Sequence, residues 1–332
     1  SITEWNSLGA EEIGKILKKA SKIMQEDRSH TIAVMAKDAG KTIHEADIEV
    51  SEAIDFANYY GYSAIENRVF EKSSPLGVVV VVPPWNFPYA IPAGGICAAL
   101  ASGNSVIVKP APETVATAWY LVQQLWKAGI PKGVLQFLPT KDDEIGQTLV
   151  THKEAKAVLL TGSFETAKLF TNWKPEMNIM AETSGKNSII ITACADVDLA
   201  VSDLVSSAFG HSGQKCSAAS IAIVDKSVLH DSNFINQLQD ATESLSTEPS
   251  WKFSSQVGPI ILPPNKNLQK ALHHLEKGEE WLVIPKKLDK KGYLWSPGIK
   301  VGVKPSSWSH QNEWFGPVLG VIESENLDTS IQ

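Results

Sequence analysis

Residues 77–108, GVVVVVPPWNFPYAIPAGGICAALASGNSVIV, contain the alternation that decides the fold. The run of five valines predicts a buried strand, AIPAGGICAALAS predicts a helix, and NSVIVKP predicts a second strand. A strand, a helix and a strand in this order are typical of a parallel βαβ unit. The stretch therefore favours an α/β fold.

The same alternation continues along the chain. ETVATAWYLVQQLWKAG and DDEIGQTLVTH predict helices, whereas GVLQFLP and KAVLLTG predict strands. Upstream, residues 9–66 have apolar side chains at three- and four-residue steps and predict helices alone. We therefore predict a doubly wound, mostly parallel sheet, which would bind ligands beyond the carboxyl ends of its strands.

A second α/β portion is predicted from KNSIIITACADVDLAVSDLVSSAFG onwards. SIAIVD adds a strand, and a helix is expected from Asp231 to about Leu245. Residues 249–310 are rich in Pro, Lys and Trp and have no clear period. The organisation of that stretch is left open.

Composition excludes several classes of function. The 332 residues include 30 basic and 37 acidic side chains, a net charge of −7 without a long run of either sign, which argues against nucleic acid or an anionic membrane as partner. Three widely spaced cysteines cannot form a disulfide framework and lack zinc-ligand spacing. A reducing, cytoplasmic compartment is the simplest interpretation, and the apolar runs are shorter than a membrane span.

Cys216 in HSGQKCSAAS, residues 211–220, is a candidate nucleophile. Gly213 and the small residues after the cysteine would let a ligand approach the backbone, and Lys215 would favour a thiolate or an anionic substrate. A lone cysteine is more often a buried, inert residue, so the alternative stays open at this point. Cys97 and Cys194 lie in apolar segments and are expected in the core.

Further candidates follow the predicted strands. Glu182 ends a strand beside Gly185 and suits a general base, although a surface glutamate is the commoner case. Asn86 lies in a proline-rich loop before a helix and suits an oxyanion donor. Lys109 and the Gly162–Ser163 turn suit a ribose or phosphate, although the sequence contains no G-x-G-x-x-G fingerprint.

Six motifs taken in order resemble the aldehyde dehydrogenase superfamily: PWNFP, GNSVIVKPAPET, LLTGSFETA, ETSGKN, GQKCSA and EWFGPV. Within it, SAFGHSGQKCSAASIAIVD and EVSEAIDFANYY look most like the L-glutamate γ-semialdehyde dehydrogenases, also called Δ1-pyrroline-5-carboxylate dehydrogenases. That branch includes a domain fused to proline dehydrogenase in bacteria. The resemblance extends from about residue 9 to the end of the chain.

The resemblance implies a role for each matching position. Cys216 matches the nucleophile, Glu182 the general base, and Asn86 the side-chain oxyanion donor that acts with the Cys216 N–H. Positions that match cofactor contacts are Trp85, Lys109, Gly162, Ser163, Glu313 and Phe315. Positions that match the substrate side are Lys215, Ser217 and Glu52. No metal site is expected.

The implied reaction is the NAD(P)-dependent oxidation of L-glutamate γ-semialdehyde to L-glutamate in proline catabolism, through a cysteine thiohemiacetal and a thioester. One alternative keeps the chemistry and changes the aldehyde. Another is a nucleotide-binding fragment without activity. A thiol acyltransferase or hydrolase is a third, but it gives no reason for Glu313 and Phe315, and His211 is interpreted as structural rather than as a base.

The implied architecture has two domains. Residues 1–184 would form N-terminal helices with a Rossmann-like NAD-binding domain, and residues 185–332 an α/β catalytic domain that is incomplete at the C-terminus. Ser1 at the start and ENLDTSIQ at the end suggest a fragment of a longer, homo-oligomeric protein. Departures from the family pattern are Pro112 in place of an acidic residue, and Ala167 and Ser184 in place of glycines.

Overall fold

The computed structural model describes residues 2–67, 73–141 and 143–332. Cα proximity divides the chain into two compact units. Unit 1 consists of Ser1–Ala39 and Ile43–Thr183, and unit 2 of Gly40–Thr42 and Ser184–Gln332. Each unit has its own hydrophobic core and its own five-stranded sheet.

Unit 1 opens with four helices, as the three- and four-residue period of residues 9–66 predicts. They are α1 (Ile2–Ser7), α2 (Gly9–Glu26), α3 (Arg28–Asp38) and α4 (Ile43–Glu66). Helices α2 and α4 approach closely where two glycines face each other: a Cβ on Gly14 would lie 3.0 Å from the carbonyl oxygen of Gly61. The prediction of helices alone in this region is confirmed for the described residues.

The rest of unit 1 is a doubly wound sheet, as predicted. Its strand order is β3-β2-β1-β4-β5 and all neighbouring strands are parallel, so the valine-rich strand lies at the centre. The elements in chain order are β1 (Val78–Val82), α5 (Ala90–Ala101), β2 (Ser105–Val108), α6 (Val115–Ala128), β3 (Leu135–Phe137), α7 (Glu144–Thr151), β4 (Ala155–Gly162), α8 (Phe164–Trp173) and β5 (Ile179–Thr183).

Unit 2 contains a second sheet with strand order β6-β7-β10-β9-β8, in which only the β8–β9 pair is antiparallel. The elements in chain order are β6 (Ser188–Ile191), α9 (Val197–Phe209), β7 (Ile221–Asp225), α10 (Lys226–Leu229), α11 (Ser232–Glu243), α12 (Lys266–His273), β8 (Glu280–Val283), β9 (Gly298–Val301), α13 (Trp308–Gln311), β10 (Val318–Ser324) and α14 (Leu327–Ile331).

The two cysteines expected in the core have different environments. Cys97 is fully buried in α5, as predicted. The prediction for Cys194 was wrong, because the apolar strand ends at Ile191 and the cysteine lies in an exposed turn before α9. Its sulfur lies 3.3 Å from the Thr192 hydroxyl.

Within the described residues, every helix is too short or too polar to cross a membrane.

Candidate active site

In unit 1 the candidate residues gather at one edge of the sheet. Because β1, β2, β4 and β5 are mutually parallel, their carboxyl ends lie on the same side. Glu182 is the second-to-last residue of β5 and pairs with Thr161 of β4. The other candidates on this edge follow β1, β2 or β4: Trp85 and Asn86, Lys109, and Gly162 with Ser163.

Asn86 lies in a rigid loop. The side chain is only 5% exposed, and the loop has two prolines before it and Pro88 after it. Trp85, on its N-terminal side, is half-buried. A fixed backbone and a buried amide are the properties that a preorganised hydrogen-bond donor requires.

The start of helix α8 suits an anion. Ser163 caps the helix, and its hydroxyl accepts a hydrogen bond from the Thr166 backbone N–H at 3.1 Å. Lys109 is buried beside Gly146, where an added Cβ would lie 3.2 Å from the lysine Cε. First-turn N–H groups, a hydroxyl and an ammonium together favour phosphate and ribose groups, so this donor set fits a dinucleotide.

Glu52, the remaining candidate of unit 1, is half-buried on helix α4. Glu182 is exposed at the end of its strand. Accessibility to water is one requirement of a general base that acts on a water molecule.

Cys216 lies in unit 2 on an exposed turn. Cys216 and Ser217 are exposed, whereas Gln214 and Ala218 on either side are buried. The Asn187 side-chain amide donates to the carbonyl oxygen of Cys216, and the Ala218 N–H donates to the Lys215 carbonyl oxygen at 3.1 Å. The thiol is therefore presented on a turn whose backbone is fixed.

Asn187 was missed by the sequence analysis. It directly precedes β6, and its carbonyl oxygen accepts from the N–H groups of Ser220 and Ile221 at 3.0 and 3.1 Å. The same residue thus ties the cysteine turn to the start of β7. Asn187 and Cys216 are 29 residues apart. Only the pairing of β6 with β7, which aligns Ser188 with Ile221, could have revealed their contact.

A left-handed turn precedes the cysteine and contacts a second loop. His211, Ser212 and Gly213 have φ values of 61°, 56° and 69°. A Cβ on Gly213 would lie 2.1 Å from the carbonyl oxygen of Gly316. One small cavity between the two loops is lined by residues that include Lys215, Glu313 and Phe315.

We expect Gly213→Ala to destabilise unit 2 by at least about 2 kcal/mol, because alanine at this position meets both a left-handed backbone and the Gly316 carbonyl. Thermal unfolding of the purified protein measures the effect. Gly133→Ala is the control, since nothing lies within 4 Å of a Cβ there. Equal stability of the two variants would contradict the described approach of the two loops.

Glu313 is half-buried and accepts a hydrogen bond from the Ser184 hydroxyl at 2.9 Å. Burial raises the pKa of Glu313, while the Ser184 hydrogen bond and the charge of Lys186 act to lower it. Ser184 stands where the family pattern has glycine, so its hydroxyl gives this chain a contact that glycine cannot make.

Lys186 is a second residue that sequence reasoning missed. Its ammonium lies 3.3 Å from the ring centroid of Trp314, which is itself buried. Burial lowers the pKa of Lys186 to about 6, and Glu313 acts in the opposite direction. Lys186 thus contacts the ring of the residue that follows Glu313 and interacts electrostatically with the Glu313 carboxylate.

His211 is buried in the left-handed turn. Burial lowers the pKa of His211 well below its usual value, and the charges of Lys41 and Lys215 add to that effect. The imidazole is therefore neutral at pH 7 and inaccessible, which fits its interpretation as a structural residue.

The candidates fall into two groups, one in each unit. Unit 2 brings Lys215 to the cavity that Glu313 and Phe315 line, and the exposed Cys216 and Ser217 follow Lys215 directly in the chain. Unit 1 brings the remaining candidates, except Glu52 on α4, to the carboxyl edge of its sheet. Among the described residues, His, Cys, Asp and Glu side chains form no cluster of three that could hold a metal ion.

Comparison with known proteins gives consistent results. The sequence model of the aldehyde dehydrogenase family matches residues 1–332. The 1-pyrroline-5-carboxylate dehydrogenase of Geobacillus thermodenitrificans is 33% identical over 351 aligned residues, which cover 99% of this chain and 67% of that enzyme.

Two solved structures extend the comparison. Proline utilization A (PutA) from Corynebacterium freiburgense has a TM-score of 0.93 and 45% identity, covering 100% of this chain and 35% of that one. The 1-pyrroline-5-carboxylate dehydrogenase from Thermus with bound NAD has a TM-score of 0.89 and 32% identity, covering 98% of this chain and 67% of that one. The chain thus spans about two thirds of the length of the dehydrogenases and about one third of PutA.

Proposed function

Because the chain belongs to the aldehyde dehydrogenase family, we propose that the protein oxidises L-glutamate γ-semialdehyde to L-glutamate with NAD or NADP as the hydride acceptor. The observation that carries the proposal is the turn at Cys216: the thiol is exposed, and Lys215, the residue before it, lines the same small cavity as Glu313 and Phe315. The relatives named 1-pyrroline-5-carboxylate dehydrogenase and PutA support the same substrate.

In the proposed first step the Cys216 thiolate attacks the aldehyde carbon. A C–S bond forms, and the π-electron pair of the carbonyl moves to oxygen, where the Asn86 amide and the Cys216 N–H stabilise the oxyanion. When bound, the nicotinamide supplies the acceptor for the hydride that leaves this carbon. The electron pair of the oxyanion re-forms the C=O bond, and a thioester to Cys216 remains.

The second step is hydrolysis. Glu182 takes a proton from water, the resulting hydroxide attacks the thioester carbon, and the C–S bond breaks with its electron pair returning to sulfur. The products are the free thiolate and the carboxylic acid, which loses its proton to solvent to give the carboxylate. Sulfur suits both steps, because it is nucleophilic at neutral pH and leaves readily from an acyl group.

The donor set of the chain fits the dinucleotide. Lys109, Ser163 and the start of α8 would hold ribose and phosphate groups, with Trp85 and Gly162 beside them, and Glu313 would accept a hydrogen bond from a ribose hydroxyl. Phe315 adds an apolar face in the cavity of Glu313.

The substrate side of the proposal rests on charge. Lys215 has an ammonium and Ser217 a hydroxyl, the two residues flank Cys216 in the chain, and both groups suit the carboxylate of an amino-acid semialdehyde. Glu52 is kept as a contact for the substrate's ammonium end. The proposal also includes a role in proline catabolism, a cytoplasmic location and a homo-oligomeric state.

The test is NADH formation by the purified protein with L-glutamate γ-semialdehyde, compared with propionaldehyde, which lacks the carboxylate and the ammonium. A kcat/KM that is higher for the semialdehyde supports the proposal. Equal or higher kcat/KM for propionaldehyde would keep the aldehyde dehydrogenase chemistry and reject the substrate. Nucleotide binding with no oxidation of any aldehyde would favour the non-catalytic alternative.

A further inference from the structure

Helix α5 begins shortly after Asn86 without a cap from its own sequence. The residue at its N-cap is Tyr89, whose side chain makes no capping hydrogen bond. Pro92, the third residue of the helix, has no N–H group. The first turn of this helix therefore exposes N–H donors that need an acceptor from elsewhere.

Glu49 of helix α4 supplies that acceptor. Its Oε1 accepts from the backbone N–H of Tyr89 at 2.7 Å and of Ala90 at 3.0 Å. The Glu49 side chain is fully buried, although it lies 40 residues before Tyr89 in the sequence. One carboxylate oxygen therefore ties the start of α5 to α4.

The side chain of Tyr89 is held in place as well as its backbone N–H. The ring is fully buried, and the phenolic hydroxyl donates to the Gln124 side chain of α6 at 2.6 Å. The Gln124 amide in turn donates to the Thr31 hydroxyl of α3 at 3.4 Å. Only Phe87 and Pro88 separate this anchored residue from Asn86.

We infer that Glu49 is a positioning residue, which holds the backbone that carries Asn86 and so fixes the amide in place. The inference rests on the proposed role of Asn86 as oxyanion donor. Burying a carboxylate is costly, and a serine at the N-cap would cap α5 at a lower cost. Such a local cap would not fix α5 against α4, whereas Glu49 caps α5 and also holds it against α4.

Position matters because an oxyanion donor acts only at hydrogen-bond distance from the developing charge. A displacement of about 1 Å at a reacting group can lower the rate by about 10²-fold. Loss of the Glu49 contact releases the N–H groups of Tyr89 and Ala90, which follow Asn86 by three and four residues. The expected consequence is a lower kcat with little change in the KM for either substrate.

A purely structural cap is the competing explanation, and the chain contains a matched control. Asp38 of α3 accepts from the backbone N–H of Thr117 at 2.7 Å and from its hydroxyl at 2.8 Å, which ties the start of α6 in the same way. Asp38→Asn therefore weakens an equivalent contact in the same unit without touching α5.

The experiment is a double-mutant cycle of Glu49→Gln and Asn86→Ala in the intact protein, with kcat and thermal unfolding as readouts. Asn86→Ala alone should lower kcat by about 10²- to 10³-fold. Glu49→Gln alone should lower kcat by about 10-fold, and by less than about 2-fold when Asn86 is already alanine. Asp38→Asn should lower the unfolding temperature and leave kcat within about 2-fold in both backgrounds.

Glu49→Gln keeps an acceptor oxygen and the side-chain shape, so its kcat should lie between those of the wild type and Glu49→Ala. The inference is overturned if Glu49→Gln lowers kcat by the same factor in both backgrounds, or if Asp38→Asn lowers it equally. A normal kcat in Asn86→Ala would instead reject the proposed role of Asn86 itself. The two failures are therefore distinguishable.

Discussion

Cys216→Ala is expected to lower kcat for aldehyde oxidation by at least about 10⁴-fold, since it removes the atom that forms the bond to the substrate carbon. The Cys216 side chain is exposed, and its turn is held by Asn187 and by a backbone hydrogen bond rather than by the thiol. Loss of the sulfur should therefore leave the fold and the affinity for the dinucleotide unchanged. Steady-state NADH formation and a fluorescence titration with NADH measure the two properties.

Cys194→Ala is the matched control for this prediction. It removes another exposed thiol of unit 2, one that lies in the turn between β6 and α9. Its kcat should stay within about 2-fold of the wild-type value, because the Cys194 thiol has no part in the proposed chemistry. Turnover retained by Cys216→Ala, or lost in Cys194→Ala, would refute the assignment of the nucleophile.

The architecture of unit 1 was predictable from local signals. Five consecutive β-branched residues favour a strand covered on both faces, and each following strand is separated from the next by an amphipathic helix. The edge at which Lys109, Ser163 and Glu182 lie follows from parallel pairing alone. In unit 1 the local sequence pattern and the global fold agree, so the hydrophobic pattern was sufficient to predict the sheet.

Unit 2 was less predictable for a physical reason. Strands β8 and β9 have four residues each, and prolines and lysines separate them, so neither forms a window long enough to show a period. The error at Cys194 has a related origin: its neighbours are apolar, but they lie just beyond the end of β6. Apolar composition does not show where a strand ends.

Contacts between distant segments were not predictable at all. Glu49 is one of several acidic residues on α4, and only the folded chain shows that it is buried against Tyr89. The sequence analysis singled out Glu52, three residues later on the same helix, as a substrate contact. Ser184, Lys186 and Trp314 around Glu313 are a similar case, because more than 120 residues separate Ser184 from its partner.

Glu182→Gln is expected to lower steady-state kcat by about 10²- to 10⁴-fold, the range that a general base contributes. The substitution keeps the shape of the side chain at the exposed end of β5 but removes its ability to accept a proton from water. The steps before hydrolysis require no such base, so the first turnover should still produce about one NADH per active site. Stopped-flow absorbance should show this burst, followed by a slow steady rate.

The shape of that time course separates a base from a structural residue. Glu176→Gln, an exposed glutamate shortly before β5 in the same unit, is the control and should show neither the burst nor the slow phase. A Glu182→Gln variant that loses the burst along with the steady rate would place the role of Glu182 before the hydride step. Normal steady-state turnover would remove it from the mechanism. Only the burst with a slow second phase assigns Glu182 to hydrolysis of the thioester, because that phase reports the one step in which a water molecule must lose a proton.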